Sequence, residues 1–163
     1  MSGESPATYE LYGEEARTRG SFASSALMAR RLVERGVRFV QIFHRGWDQH
    51  GNLYTQLAEQ CRDTDQPSAA LVADLKQRGL LEETLVVWAS EMGRTPFVNG
   101  SAGGTPGREH NSYALCMWMA GGNVRGGATA GQTDDYSLRS LGEPIHVRDV
   151  HATILDLMGL NDE

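Results

Sequence analysis

The chain has 163 residues, a formal net charge of −6, 40% hydrophobic residues and 22% charged residues. This length favours one domain, and the composition excludes a disordered chain. The acidic balance argues against nucleic-acid binding, because phosphate backbones attract clustered lysine and arginine. No apolar run is long enough to span a membrane, and residues 1–20 contain no apolar segment of a secretory signal. Two cysteines, Cys61 and Cys116, cannot build a disulfide framework.

The N-terminal third divides into an arm, a helix and a strand. Residues 1–20 are polar and mixed, so we interpret them as an N-terminal arm, and residues 21–163 as a single domain. Ser21 is a preferred helix N-cap, apolar residues then recur at helical spacing, and Gly36 ends the predicted helix. Residues 37–43 are rich in β-branched and aromatic side chains, which predicts the first strand.

Helices and apolar strands alternate in the remainder of the chain. Leucine and cysteine at four-residue steps predict a short helix over residues 52–61, and a second helix over 65–79 has a proline in its first turn. The apolar runs 85–89 and 113–119 predict the second and third strands, and residues 147–158 predict a final amphipathic helix. This alternation predicts an α/β fold with a mainly parallel sheet.

A long glycine-rich loop separates the second and third predicted strands. Eleven of the nineteen glycines lie between Gly93 and Gly142. We assign residues 91–112 to an irregular loop, and a loop of about twenty residues inside a domain is usually functional.

Polar and reactive side chains cluster at the ends of the predicted strands. Residues 45–50 follow the first strand, residues 90–95 follow the second, and residues 108–111 lie on the loop before the third. Ligands of open α/β sheets bind beyond the carboxyl ends of the strands. We therefore expect these three clusters to form one site.

Four residues in these clusters are candidate metal ligands. Asp48 and His50 are two apart, so in an extended segment both point to the same side. Glu91 and His110 could complete the set of ligands. Two imidazole nitrogens with carboxylate oxygens suit zinc, manganese or iron better than calcium.

Two arginines give the same site an affinity for anions. Arg94 and Arg108 carry forked guanidinium donors that match the oxygens of a phosphate or a sulfate. A divalent ion would polarise a phosphoryl or sulfuryl oxygen. The residues therefore favour an anionic substrate.

Each candidate also has an ordinary structural explanation. An Asp-x-His triplet is commonly a solvated turn, Glu91 could cap the chain after a strand, and His110 could be an exposed loop histidine. Trp47 could be a wall of the site or an anchor of the turn. His44 could be a packed ring with one bonded nitrogen.

The chain resembles the bacterial family catalogued as domain of unknown function 1501 over residues 11 to 161. Seven ordered blocks carry the resemblance, namely residues 22–41, 46–52, 84–88, 91–96, 107–111, 120–122 and 147–155. That family is similar to the alkaline-phosphatase-like superfamily, which includes sulfatases, phosphopentomutases and cofactor-independent phosphoglycerate mutases. The resemblance implies a three-layer αβα fold, of which this chain is the incomplete C-terminal part.

The resemblance also implies residue roles. Glu91 stands at the position of a superfamily metal-binding aspartate, whereas Met92 stands where the superfamily has a histidine. Asp48 and His50 resemble an Asp–His pair that is usually four residues apart, and His110 resembles a later metal-binding histidine. The implied cofactor is a divalent metal ion, zinc or manganese rather than calcium.

The superfamily nucleophile has no counterpart here. It is a Ser, Thr or modified Cys far upstream of these blocks, and Cys61 lacks the proline and the spacing of the sulfatase motif. We therefore expect a metal-dependent hydrolase of sulfate or phosphate esters that lacks its nucleophile. Its substrate would be a small anionic ester or a sulfated polysaccharide.

Two other interpretations stay open. The chain could be a non-catalytic binding or assembly module, or a partial domain that a partner chain completes, so that a homo-oligomer is expected. A longer family member would be exported, and otherwise the chain would be cytoplasmic.

Overall fold

The structure, a computed structural model, describes residues 3–99 and 105–161. Three α-helices form its first half: α1 (Pro6–Tyr12), α2 (Phe22–Val33) and α3 (Leu53–Gln77). Ser21 caps α2 as predicted, because its side-chain oxygen accepts a hydrogen bond from the backbone N–H of Ser24 at 2.9 Å.

The three helices share one apolar core, since α1 and α2 both pack against α3. The buried members are Tyr9, Tyr12, Ala16, Ala23, Ala26, Leu27 and Ala70, with Leu11, Ile42 and Leu71 packed against them. The alanines let the helices approach closely, and the two tyrosines of α1 supply the largest apolar surfaces. The segment 1–20 therefore contributes the aromatic part of this core.

α3 is one helix where the sequence predicted two. It runs from Leu53 to Gln77, and Pro67 lies inside it. A proline in a helix interior costs about 3 kcal/mol. Pro67 is buried, as are Ala70 and Leu75 after it, so tertiary packing outweighs the local penalty. The prediction of a helix start at residue 65 is wrong for this reason.

A buried charged network joins the helices. Arg30 of α2 is 2% exposed, and its Nε donates to Asp74 of α3 at 2.8 Å. Its terminal nitrogens donate to Glu34 and to Glu4, each at 2.7 Å. The Tyr12 hydroxyl donates to the same Asp74 oxygen at 3.2 Å, and burial raises the pKa of this phenol. The buried guanidinium is thus fully paired.

The second half contains two short antiparallel ladders. Its strands are β1 (Val86–Trp88), β2 (Gly93–Asn99), β3 (Gly107–Asn111) and β4 (Trp118–Ala120). β1 pairs with β4, with Trp88 opposite Trp118. β2 pairs with β3, with Arg94 opposite His110.

The predicted three-layer αβα architecture with a mainly parallel, alkaline-phosphatase-like sheet is wrong. In the described part of the chain both ladders are antiparallel and two-stranded. Residues 37–43 form no strand and pair with none within residues 3–99 and 105–161. Residues 91–112, predicted as a loop, contain the β2–β3 hairpin. Only the end of the predicted strand 113–119 lies in a ladder, as part of β4.

Local pairing explains the β2–β3 hairpin. Its partners are close in sequence and lose little chain entropy on closing, whereas parallel strands need a long crossover. β1 and β4 pair across residues 89–117, and local closure does not account for that ladder. Thr95, Phe97 and Val98 favour strand structure, yet the glycines around them predicted a loop. In β2 the preference of these residues for strand structure outweighs the effect of the neighbouring glycines.

The C-terminal helix agrees with the prediction. α4 (Val147–Leu157) begins after His146, whose Nδ1 accepts from the backbone N–H of Arg148 at 3.1 Å. The Asp149 carboxylate accepts from the backbone N–H of His146 at 2.8 Å, which completes a capping box. Within the part of the chain that the structure describes, none of the helices has the length and apolar character that crossing a membrane requires.

Candidate metal centre

Three of the four predicted metal ligands meet at one place. Asp48 and His50 lie in the loop that precedes α3, and His110 lies on β3. One ligand atom from each residue falls in a group whose members are all within 4.8 Å of one another. We call this group the Asp48–His50–His110 centre. Its side chains are 69%, 36% and 44% exposed, respectively, so solvent and a small solute can reach it.

Backbone contacts hold the loop against the start of β3. Three hydrogen bonds join them: Asn52 N–H to Thr105 O at 3.3 Å, Leu53 N–H to Pro106 O at 3.0 Å, and Arg108 N–H to Gln49 O at 3.0 Å. They lie on both sides of His50 in the sequence. The two imidazole rings consequently face each other edge-on, with the centroids of His50 and His110 4.7 Å apart.

Gly107 makes this close approach possible. A Cβ at residue 107 would lie 2.1 Å from the carbonyl carbon of His50 and 2.4 Å from the nitrogen of Gly51. Both are backbone atoms, so a side chain would push the loop away from β3. Gly107 was not singled out from the sequence, although its place at the head of a block of polar residues was the available signal.

The three ligand atoms form a nearly equilateral triangle. His50 Nε2 lies 3.0 Å from Asp48 Oδ1 and 3.1 Å from His110 Nε2. His110 Nε2 lies 3.2 Å from Asp48 Oδ1. Each Nε2 carries at most one proton, which points in one direction, so protons satisfy at most two of the three contacts. A cation above the triangle satisfies all three atoms at once.

The triangle has the dimensions of a transition-metal site. Zinc binds imidazole nitrogen and carboxylate oxygen at about 2.0–2.2 Å in tetrahedral geometry, which places neighbouring ligand atoms about 3.3–3.5 Å apart. The observed separations are within a few tenths of an ångström of that spacing. Two imidazoles and one carboxylate suit zinc or manganese rather than calcium, which takes oxygen ligands. The residues therefore fit a divalent ion with at least one position left for a further ligand.

Arg94 keeps the carboxylate of the centre ionised. One terminal nitrogen donates to Asp48 Oδ1 at 2.7 Å and to the carbonyl oxygen of Trp47 at 3.1 Å. This hydrogen bond, with a further one from His110, lowers the pKa of Asp48 to about 2. Asp48 is therefore a charged ligand from mildly acidic pH upward.

Two residues that were not predicted hold the other ring nitrogen of His50. Asn99 Nδ2 lies 2.9 Å from His50 Nδ1 and donates to Glu109 at 2.9 Å. Glu109 Oε1 lies 3.6 Å from His50 Nδ1. The Asn99 amide therefore donates to His50 Nδ1 in this structure. A histidine that binds metal through Nε2 instead donates its Nδ1 proton to an outer acceptor, so metal binding would require the Asn99 amide to turn away and the Glu109 carboxylate to approach from 3.6 Å. Its position next to His110 in the sequence was the available signal.

Glu91 and Arg108 make other contacts in this structure. The Glu91 carboxylate accepts a hydrogen bond from Ser90 at 3.2 Å, and among the described residues the ligand group does not include Glu91. The Arg108 guanidinium contacts the carbonyl oxygen of Gly107 at 3.3 Å. The predicted roles of Glu91 as a metal ligand and of Arg108 as an anion donor stay predictions.

A row of aromatic rings packs beside the centre. Trp47 Nε1 donates to His44 Nδ1 at 2.9 Å, and the Trp47 ring meets Trp88 edge-on at 6.3 Å. Trp88 in turn stacks on Trp118 across the β1–β4 ladder. Trp47 therefore anchors the turn before Asp48, and His44 is a packed ring with one bonded nitrogen.

These elements define a chain of helices and short antiparallel ladders that carries a histidine–carboxylate centre. The family model described as "Protein of unknown function (DUF1501)" matches residues 1–163. The chain therefore belongs to this family, which confirms the resemblance of its sequence blocks. Neither the curated proteins nor the solved structures contain a match to the chain.

Proposed function

We propose that the Asp48–His50–His110 centre binds a divalent metal ion, zinc or manganese, and that the chain acts as a metal-dependent hydrolase of sulfate or phosphate esters. The observation that carries the proposal is the triangle of two imidazole nitrogens and one carboxylate oxygen at 3.0 to 3.2 Å. The choice of ester rests on the resemblance of the sequence blocks alone, because the described part of the chain does not have the alkaline-phosphatase-like sheet.

The surrounding residues suit an anionic substrate. A bound divalent ion would polarise a phosphoryl or sulfuryl oxygen. Arg94 holds Asp48 in its charged form at 2.7 Å and adds positive charge beside the centre. Arg108 lies on the same strand as His110 and is half-buried, so its guanidinium can pair with a further ester oxygen. We assign no nucleophile to a residue of this chain.

A non-catalytic module is the second candidate, and one observation favours it. The centre joins the loop before α3 to β3, and the Asp48 side chain is 69% exposed. Water-excluded sites strengthen the electrostatic effects on which catalysis depends, and this centre is open. In this case the metal ion would fix the loop to the hairpin and shape a binding surface.

Metal titration tests the metal binding that both candidate functions require. The metal-free full chain is titrated calorimetrically with Zn²⁺ and with Mn²⁺, and we expect one ion per chain. His110→Ala should weaken binding at least tenfold, because it removes one of three ligands. The control is His151→Ala, which changes an exposed histidine of α4 outside the centre and should bind as the unchanged chain does. Equal binding by both variants would refute the metal centre.

Turnover separates the hydrolase from the binding module. The zinc-loaded and manganese-loaded chains are assayed with an aryl phosphate and with an aryl sulfate. Hydrolysis that requires metal and is lost in Asp48→Ala, but persists in His151→Ala, supports the hydrolase. Stoichiometric metal without turnover of either ester refutes the hydrolase and leaves the module.

A further inference from the structure

Residues 38–43 have the composition of a β-strand but pair with no strand in residues 3–99 and 105–161, and we call them the open strand. From residue 39 to residue 43 the exposure of the side chains alternates. Phe39 and Phe43 are 65% and 83% exposed on one side. Val40 and Ile42 are half-buried on the other side, where Ile42 packs against the helical core. This alternation is typical of a strand with one covered face.

Within the described part of the chain, the backbone of the open strand makes no main-chain hydrogen bond. In residues 3–99 and 105–161, no backbone–backbone hydrogen bond involves residues 38–45. The last such bond before it runs from the N–H of Val37 to the carbonyl of Leu32 at 3.1 Å. A row of unpaired N–H and C=O groups is a template for another strand.

Positive charge stands at both ends of the open strand. Arg38 and Arg45 are exposed, and none of the salt bridges of the described residues involves either of them. Arg19 extends this charge at the edge of the adjoining groove. The chain as a whole carries a net charge of −6, so these arginines are opposite in sign to the chain. The carboxylate of Asp63, 3.7 Å from His44 Nε2, is an acidic group next to this region.

A groove beside the open strand can receive side chains. It has a volume of about 560 Å³ and lies between α2 and the open strand. Met28 and Leu32 line it from α2, and residues 40–43 line it from the open strand. Its floor is therefore apolar and its rim basic.

We propose that the open strand binds an extended segment of another protein by β-strand addition, and that this segment carries alternating apolar side chains between acidic residues. Main-chain hydrogen bonds to the open strand would supply affinity, and the alternate side chains would supply selectivity. Phe39 and Phe43 would pack against cross-strand neighbours. The acidic residues would pair with Arg38 and Arg45.

Charge argues against a second copy of this chain as the occupant. In antiparallel pairing of two open strands, Arg38 of one copy would lie close to Arg45 of the other. In parallel pairing, Arg38 would lie close to Arg38 and Arg45 close to Arg45. Like charges on paired strands destabilise the pair, so the arginines select an acidic partner over self-association.

Synthetic peptides test the proposal on the full chain. The probe has about eight residues, matching the span from Arg38 to Arg45, with alternating valine and threonine between terminal glutamates. Its binding is measured by fluorescence anisotropy to millimolar concentration. One control peptide has lysines in place of the glutamates, and another has proline at its centre. We expect the glutamate peptide to bind about tenfold more tightly than the lysine peptide, from two exposed ion pairs. The proline peptide should not bind, because it lacks a ladder donor.

A charge-reversed variant tests whether the two arginines select the peptide. Arg38→Glu combined with Arg45→Glu changes two exposed side chains and should make the lysine peptide the tighter ligand. Equal affinity for both peptides, or no binding of either, overturns the proposal. A dimer of the unchanged chain in light scattering that Phe39→Asp makes monomeric also overturns it, since a second copy would then be the occupant.

Discussion

Replacement of Arg30 by methionine removes the centre of the buried charged network while keeping most of the side-chain length. Asp74, whose side chain is 6% exposed, loses a hydrogen bond of 2.8 Å. It retains the Tyr12 hydroxyl at 3.2 Å and Arg78 Nε at 2.7 Å. Glu4, whose side chain is 9% exposed, loses its 2.7 Å partner and keeps Arg31 Nε at 3.5 Å.

The expected loss of stability depends on which partners the buried carboxylates keep after Arg30→Met. Removal of one partner of a buried ion pair costs about 3–5 kcal/mol, because a charge is left uncompensated. Asp74 keeps two partners, so we expect the lower end, about 3 kcal/mol. A change of 1 kcal/mol shifts Tm by about 2–4 °C for a chain of this length. Tm should therefore fall by about 6–12 °C.

Urea denaturation followed by circular dichroism measures this loss, with thermal melts as a second readout. The matched control is Arg125→Met, since Arg125 is exposed and takes part in no salt bridge among the described residues. Its effect should stay within about 0.5 kcal/mol. If Arg30→Met were equally mild, or stabilising, the network would not hold the three helices together and the reasoning would be refuted.

Three further predictions concern the close approach at β3, the buried phenol and the outer partner of the metal centre. Gly107→Ala should weaken zinc binding at least tenfold in calorimetry, because its Cβ would lie 2.1 Å from the carbonyl carbon of His50. The control is Gly126→Ala, whose Cβ would meet nothing within 4 Å and which should bind zinc as the unchanged chain does. Equal zinc binding by the two variants would contradict the proposed role of Gly107. Burial raises the pKa of Tyr12, whereas an unfolded tyrosine ionises near pH 10, so ionisation favours the unfolded chain as pH rises above about 10. The stability advantage of the unchanged chain over Tyr12→Phe should shrink between about pH 9 and 11 in urea titrations, and a constant difference would contradict this reasoning. Glu109→Ala should lower zinc affinity by about 10–100-fold in competition with a chelator, with partial recovery in Glu109→Asp; unchanged affinity would show that the His50 ring needs no outer acceptor.

Local signals in the sequence were enough to predict the elements that depend on local physics. Ser21 and His146 begin helices as N-caps, and the apolar periodicity after each of them continues as α2 and α4. The strand over residues 85–89 was predicted because its apolar run is short and β-branched, and β1 lies within it. Residues close in the sequence therefore determine the type and the position of α2, α4 and β1.

Pairing could not be predicted, because it depends on competition between distant partners. The segment 37–43 has strand composition, but composition does not supply a neighbour. Residues 91–112 contain both glycines and β-formers, and hairpin closure decided between them. Pro67 predicted the start of a helix, whereas the burial of residues before and after it stabilises one continuous helix, α3. Each error comes from tertiary structure that overrides a local preference.

The candidate site was found from spacing and chemistry even though the predicted sheet was wrong. Asp48 and His50 are neighbours in any extended turn, and His110 reaches them through β3. Glu109 and Gly107 were missed, since a second-layer acceptor and a missing Cβ have no composition signature of their own. Both became visible only through distances to His50.

X-ray absorption at the zinc edge, on the zinc-loaded full chain, tests the metal centre most directly. The account predicts nitrogen and oxygen neighbours at about 2.0–2.2 Å with the scattering of two imidazoles. It also predicts that His110→Ala removes one imidazole and that His151→Ala removes none. Sulfur at about 2.3 Å, contributed by Cys61 or Cys116, or a spectrum that His110→Ala leaves unchanged, would contradict it.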